Sequence, residues 1–177
     1  MSEIKILEEK TIYKKWLNIM SRTIKHPNGG EQTYEIVNPG LRSVCVVAFD
    51  EFQNILTVEQ YRFGPNKRLT ELPAGRVNND EPLADAMARE LLEETGYSGD
   101  LTEVGSHYVA AENGATRHVF VAKNCKKVAE PKLDQSEIDE GLEVKLLSLD
   151  EFKALARSGQ LTETGAAFMA LDYLKLL

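Results

Sequence analysis

The sequence predicts an α/β or α+β fold built around a mixed sheet. Three observations carry that expectation. Strand-like and helix-like patterns are interspersed along the chain. Two runs rich in Val, Ile and Leu, 41–49 and 55–62, read as strands of a central sheet. Segments 82–95 and 148–158 have helical periodicity with start and stop signals.

Taken in order, residues 12–25 and 31–37 alternate loosely around a turn at His26-Pro27-Asn28-Gly29-Gly30, which predicts a hairpin-like pair of strands. Asn38-Pro39-Gly40 is a second break. It separates a small N-terminal antiparallel sheet, residues 1–40, from a main domain over 41–177. For the helix at 82–95, Asn79 or Asp80 is placed to cap, Pro82 suits the first turn and Gly96 stops it. Strands follow near 101–110 and 116–123. The polar segment 124–141 reads mainly as a loop. Residues 142–147 form one more strand, and Ser148 caps a helix that Gly159 ends. A last helix runs over about 163–176. There is no internal repeat or low-complexity segment.

Composition narrows the function. The chain has 177 residues, 42% apolar and 28% charged, which is ordinary for a globular protein with a real core. The formal charge of −7 argues against a nucleic-acid partner, which needs a basic surface. It leaves open a small phosphorylated substrate bound through bridging cations. Apolar runs are too short to span a bilayer, and the opening MSEIKILEEK is charged, so the expectation is a cytoplasmic protein without membrane partners. Cys45 and Cys125 are read as free structural thiols. His107 and His118 show no ligand spacing and are read as structural.

The informative stretch is 75–97, GRVNNDEPLADAMARELLEETGY. On a helix Glu90, Glu93 and Glu94 sit at i, i+3 and i+4 and share a face. Ala84, Met87, Ala88, Leu91 and Thr95 form a second stripe roughly 120° away, suited to burial. Three like charges converging on a concave site are costly unless a hard cation joins them, and Mg²⁺ takes oxygen donors of this kind. Arg89 is placed to pair with Glu93. On helical spacing alone a solvated acidic face is the commoner description. The wider pattern decides: Gly75, five residues, Glu81, seven residues, Arg89-Glu90-Leu91, one residue, Glu93-Glu94, one residue, Gly96, Tyr97.

That pattern resembles the Nudix box at every specified position, with only the terminal Tyr97 unusual. The resemblance implies an α/β/α sandwich around a mixed sheet, and hydrolysis of a nucleoside diphosphate linked to another group. It also implies Glu90, Glu93, Glu94 and the Ala74 carbonyl as metal ligands, Arg89 as an orienting arginine, Glu81 as a loop support, and Gly75 and Gly96 as structural. Val58-Glu59-Gln60-Tyr61-Arg62, followed by Glu71-Leu72-Pro73-Ala74-Gly75, is similar to the ADP-ribose pyrophosphatase branch, which hydrolyses nucleoside diphosphate sugars. In that branch the N-terminal piece helps build a homodimer whose partner contributes to the pocket. Where the branch's ADP-ribose hydrolases usually carry a proline, this chain has Ala111 and Glu112, which points to a broader or different sugar preference.

The implied chemistry uses two or three Mg²⁺ (or Mn²⁺) ions to neutralise the diphosphate. A water attacks phosphorus in line, and a general base comes from a loop after the box. Glu137 and Glu140 are the candidates there, one as base and one as an extra ligand, with Glu112 a third option. Arg62 is the expected diphosphate clamp, because a guanidinium matches phosphate oxygens bidentately, and Glu71 joins it on the substrate side. Trp16 and Tyr13 are placed to stack on the nucleobase, although large aromatics commonly fill cores. Two rivals remain at this stage: a Nudix hydrolase of nucleoside triphosphates or dinucleoside polyphosphates, and a non-catalytic nucleotide-sugar sensor.

Overall fold

The structure is a computed structural model that describes residues 3–177. Two compact units divide the chain. The first takes the N-terminal stretch up to Arg42 and returns for His107–Arg117; the second holds Ser43–Ser106 and His118–Leu177.

In the first unit, β1 (Lys5–Lys14), β2 (Asn18–Lys25) and β3 (Glu31–Val37) form an antiparallel three-stranded sheet in the order β1-β2-β3. The sequence predicts one strand over 12–25, but the chain reverses at 15–17, where the Lys15 amide donates to the Leu17 carbonyl. This turn contains neither glycine nor proline, so it leaves little trace in the sequence. Cross-strand partners follow the register: Arg22 Nε donates to Glu9 at 2.7 Å, and the Thr23 and Thr33 hydroxyls lie 2.9 Å apart. Every residue of β1 is exposed.

The second unit carries the mixed seven-stranded sheet. Its main path is β10 (Glu143–Leu147), β5 (Ile55–Arg62), β4 (Arg42–Asp50), β9 (Thr116–Lys127) and β8 (Tyr97–Tyr108). Two short strands join it: β6 (Lys67–Glu71) pairs β5 and β7 (Ala74–Arg76) pairs β4, both antiparallel. Neither short strand is predicted, because five and three residues are too few to show a period. β8 begins at Tyr97 and β9 runs on to Lys127, both longer than expected.

Alternation along the central strands builds two cores. Cys45, Val47, Phe49, Val119 and Val121 face one way and pack with Phe152 and Ala156 of α3 (Leu149–Ser158) and Ala166, Ala167 and Ala170 of α4 (Thr164–Tyr173). Val44, Val46, Ala48, Phe120 and Ala122 face the other way, against Ala86, Met87 and Leu91 of α1 (Leu83–Thr95). One layer of helix on each side makes the expected α/β/α sandwich. Each fully buried Leu, Met or Phe contributes roughly 1.5–3 kcal/mol.

The buried stripe of α1 differs from the expectation. Ala84 and Ala88 are exposed, and Ala86 takes their place with Met87, Leu91, Glu94 and Thr95. Neither Asn79 nor Asp80 caps α1; Pro82 holds the N-cap position with no side-chain bond. Ser148 does cap α3, in a capping box with Glu151. The segment 124–141 contains a further short helix, α2 (Gln135–Asp139), started by a second capping box between Asp134 and Glu137. Among the described residues no helix is long and apolar enough to cross a membrane.

Candidate active site

The candidate site in the second unit starts at the turn between β6 and β7. Its backbone groups are held from three directions. Leu72 N–H donates to Glu163 Oε2 at 3.1 Å, Val46 N–H donates to the Pro73 carbonyl at 3.0 Å, and Ala74 N–H donates to Glu94 Oε2 at 3.1 Å. The Ala74 carbonyl expected to bind metal therefore sits on a fixed turn. Gly75 is glycine for a direct reason: a Cβ there would lie 1.9 Å from Glu90 Cδ and Oε1. At the far end of α1, Gly96 adopts φ 76° and its carbonyl accepts from the amides of Val128 and Ala129, docking the segment that follows β9.

Glu90, Glu93 and Glu94 leave α1 on one face, yet they end in three environments. Glu94 is buried, and burial pushes its carboxyl well above the usual range; the Ala74 amide opposes this, while the charges of Glu90, Glu137 and Glu71 add to it. Glu90 is also raised, chiefly by burial, with Arg89 opposing and Glu93 and Glu137 adding. Glu93 is the open one, 42% exposed, and pairs with Arg89 at 3.2 Å.

Arg89 organises the group. Its Nε and Nη2 grip both oxygens of Glu81 at 2.9 and 3.0 Å, Nη2 also reaches the Arg76 carbonyl, and Nη1 donates to Glu90 at 2.8 Å and to Glu93. These carboxylates hold the guanidinium firmly protonated. In return Arg89, with the Asn78 amide, holds Glu81 down to about 2. Glu81 thus anchors the loop, as the resemblance implies. Sequence spacing identifies the Glu93 contact but not the simultaneous grip on Glu90.

Helix α2 delivers the two later candidates. Glu137 spends one oxygen on the Asp134 amide at 2.6 Å. Burial raises its carboxyl, with the Asp134 amide opposing and Asp134, Glu93 and Glu140 adding. Glu140 sits at the C-cap, and its carboxylate accepts from Arg62 Nη1 at 2.9 Å. The rest of Arg62 is taken by Glu71, with Nε at 2.7 Å and Nη2 at 2.6 Å. Glu71 is only 5% exposed and accepts a further bond from Gln60. The arginine expected as the diphosphate clamp is ion-paired to Glu71 and Glu140 in this structure. Gln60, Arg68 and Glu163 are missed by sequence reasoning; their partners lie 9 to 91 residues away and no local pattern announces them.

Glu112 and Trp16 belong to the first unit. Glu112 is exposed and its carbonyl accepts from Val37 N–H; Trp16 lies in the β1–β2 turn, 73% exposed, next to the half-exposed Tyr13. His118 pairs with Glu103 at 2.9 Å, and both cysteines are buried and free, as expected.

Among the described residues, no three His, Cys, Asp or Glu side chains already converge as a metal-binding group. The donor set still fits a hard dication: it is all oxygen, partly buried, and its members raise one another by repulsion.

The NUDIX domain family model matches residues 40–165, which include the whole turn, α1 and α2. The chain belongs to the Nudix family. This Nudix hydrolase is 33% identical to an ADP-ribose pyrophosphatase of Bacillus subtilis strain 168, over 98% of this chain and 96% of the relative. It is 31% identical to a methanol dehydrogenase activator of Bacillus methanolicus, over 97% and 95% of the two chains. Among solved structures, an ADP compounds hydrolase superposes with a TM-score of 0.84 at 20% identity, covering 99% of this chain and 96% of the other, which shows the fold.

Proposed function

We propose that this Nudix hydrolase cleaves the pyrophosphate bond of a nucleoside diphosphate sugar, of the ADP-ribose, GDP-mannose or ADP-/UDP-sugar kind. The products are a nucleoside monophosphate and a sugar phosphate. The observation that carries this reading is the position of α2. Glu137 acts electrostatically on Glu90 and Glu94, while Glu140, three residues on, grips Arg62. One short helix thereby joins an acidic cluster to a phosphate-matching guanidinium. The near-full-length likeness to an ADP-ribose pyrophosphatase supports the same substrate class.

Glu90, Glu93, Glu94 and the Ala74 carbonyl would hold Mg²⁺ or Mn²⁺, two or three ions, with Glu137 as an additional donor. When bound, such ions neutralise the diphosphate and the charge developing on its oxygens. Arg89 holds Glu90 and Glu93 in place from the side. Arg62, fixed by Glu71, binds a phosphate oxygen. Glu140 accepts the proton of the attacking water as the new oxygen–phosphorus bond forms. The bridging phosphorus–oxygen bond breaks, and its electron pair leaves with the departing phosphate. Trp16 is the proposed stacking surface for the base. The protein is proposed to act as a homodimer through its N-terminal sheet, whose strand β1 leaves Ile6, Leu7 and Ile12 uncovered. A cytoplasmic location belongs to the same reading.

The test is a panel of nucleoside diphosphate sugars, nucleoside triphosphates and dinucleoside polyphosphates with Mg²⁺ or Mn²⁺, products resolved by ion exchange. A diphosphate sugar should be turned over fastest, giving monophosphate and sugar phosphate in equal amounts. Glu94→Gln should lower that rate by about 100-fold or more. Faster turnover of any triphosphate, or an unimpaired Glu94→Gln enzyme, would overturn the assignment.

A further inference from the structure

We propose that Arg62 is a positioning residue for Glu140, and that a substrate phosphate takes over the guanidinium nitrogen that Glu140 holds. The proposal rests on the diphosphate-sugar reading and adds to it how substrate arrival is linked to the freeing of the base.

The two sides of Arg62 are unequal. On one side Nε and Nη2 form a two-point pair with Glu71 at 2.7 and 2.6 Å. Glu71 is 5% exposed and also receives Gln60 Nε2 at 3.3 Å. Breaking that pair would strand a buried carboxylate, which is strongly unfavourable. On the other side a single bond joins Nη1 to Glu140 Oε2 at 2.9 Å. Arg62 keeps 40% and Glu140 17% of its side chain exposed, so this end is the one solvent and solutes can reach. A one-point, partly solvated ion pair is weak and exchangeable.

Glu71, Glu140 and Glu163 all act on this one guanidinium. A phosphate arriving there is a fourth anion around one cation, and the added repulsion favours the departure of a neighbour. Glu71 and Glu163 are buried, and Glu163 is engaged with the Leu72 amide. Glu140 is the carboxylate free to move.

The backbone beneath Glu140 is arranged so that only the side chain needs to swing. Tyr61 N–H donates to the Glu140 carbonyl at 2.9 Å. Arg68 Nη2 donates to the Gly141 carbonyl at 3.0 Å and is itself held by Glu59 through Nε at 2.8 Å. Both ties run from the β5–β6 pair and leave the carboxylate untouched. The exchange breaks one charge-assisted hydrogen bond and forms another with a comparable acceptor, so its net cost is small. Before substrate binds, the carboxylate is committed to Arg62. Once phosphate occupies Nη1, the carboxylate is free to accept a proton from water.

The experiment measures calorimetric affinity for a non-hydrolysable α,β-methylene analogue of ADP-ribose, together with steady-state turnover of the best diphosphate sugar. Glu140→Ala should bind the analogue about threefold to tenfold more tightly than the wild type, the gain expected from removing a competing partly exposed ion pair. Its turnover should fall at the same time, splitting binding from catalysis. Asp139→Asn removes the same charge one residue away, at a side chain bonded to Gln135 rather than to Arg62. It should keep both affinity and turnover within about twofold of the wild type, as exposed charges at longer range are screened. Unchanged or weaker analogue binding by Glu140→Ala, or equal tightening by Asp139→Asn, overturns the exchange and leaves the hydrolase reading standing. An analogue that binds neither the wild type nor Glu140→Ala overturns both.

Discussion

At the residue scale the decisive fact is how one arginine is divided among acids. Arg89 faces Glu81, Glu90 and Glu93 together, and the Glu81 pair is the two-point one. Glu81 is held down to about 2, first by its hydrogen bond to Arg89 and then by the Asn78 amide. A carboxyl depressed in the folded state contributes stability above its unfolded value, 4.5 here, and loses it as pH falls toward about 2. Glu81→Gln should therefore melt below the wild type at neutral pH. The gap should shrink steadily through the window from 4.5 down to about 2. The substitution also loosens Arg89 behind Glu90 and Glu93, so turnover at neutral pH should fall about 10-fold. Thermal melts of both proteins across that range provide the check; a gap that is constant with pH would mean Glu81 acts without its charge.

At the element scale, two glycines flank the same helix and fail in different ways when substituted. At Gly75 the atoms a Cβ would strike are the end of the Glu90 side chain, which can swing away. Gly75→Ala should fold normally while turnover drops about 100-fold, because a displaced carboxylate misplaces the chemistry. At Gly96 the obstacle is the Ala129 carbonyl at 2.2 Å, with φ at 76° besides. Backbone cannot yield so cheaply, and Gly96→Ala should cost about 1–3 kcal/mol of stability. Denaturation curves beside steady-state rates separate the two; a destabilised Gly75→Ala with full activity per folded molecule would contradict the geometry. This contrast also marks what the sequence makes legible. The spacing from Gly75 to Gly96 places α1 and its carboxylates, since that information is local and periodic. Helix α2 is announced only by the Asp134–Glu137 capping pair, inside a polar segment with no apolar stripe to confirm it. The joining of Arg62 to Glu140 spans 78 residues and depends on β5 pairing with β10. No motif encodes that contact; the fold creates it.

At the scale of the whole molecule, the two units bury their strands to different extents. The central strands of the second unit are covered on both faces, so β4 is buried along nearly its full length. β1 lies at the edge of the three-stranded sheet and is exposed throughout, with Ile6 57%, Leu7 48% and Ile12 49% exposed. An edge strand with uncovered aliphatic side chains invites pairing with another chain. A second copy of this chain is the partner that the proposed homodimer supplies. A stable homodimer buries on the order of 1,600 Å² or more, so losing apolar anchors from its centre should dissociate it. Ile6→Lys combined with Ile12→Lys introduces two charges on β1, where desolvating them on association would be unfavourable. Sedimentation velocity should show the wild type as a dimer at micromolar concentration and the double variant as a monomer. Circular dichroism of the variant should match the wild type, because β1 is already exposed and solvates lysine without loss. A wild type that sediments as a monomer, or a double variant that remains dimeric, would remove β1 from the assembly and leave its aliphatic residues as an ordinary solvent-exposed edge.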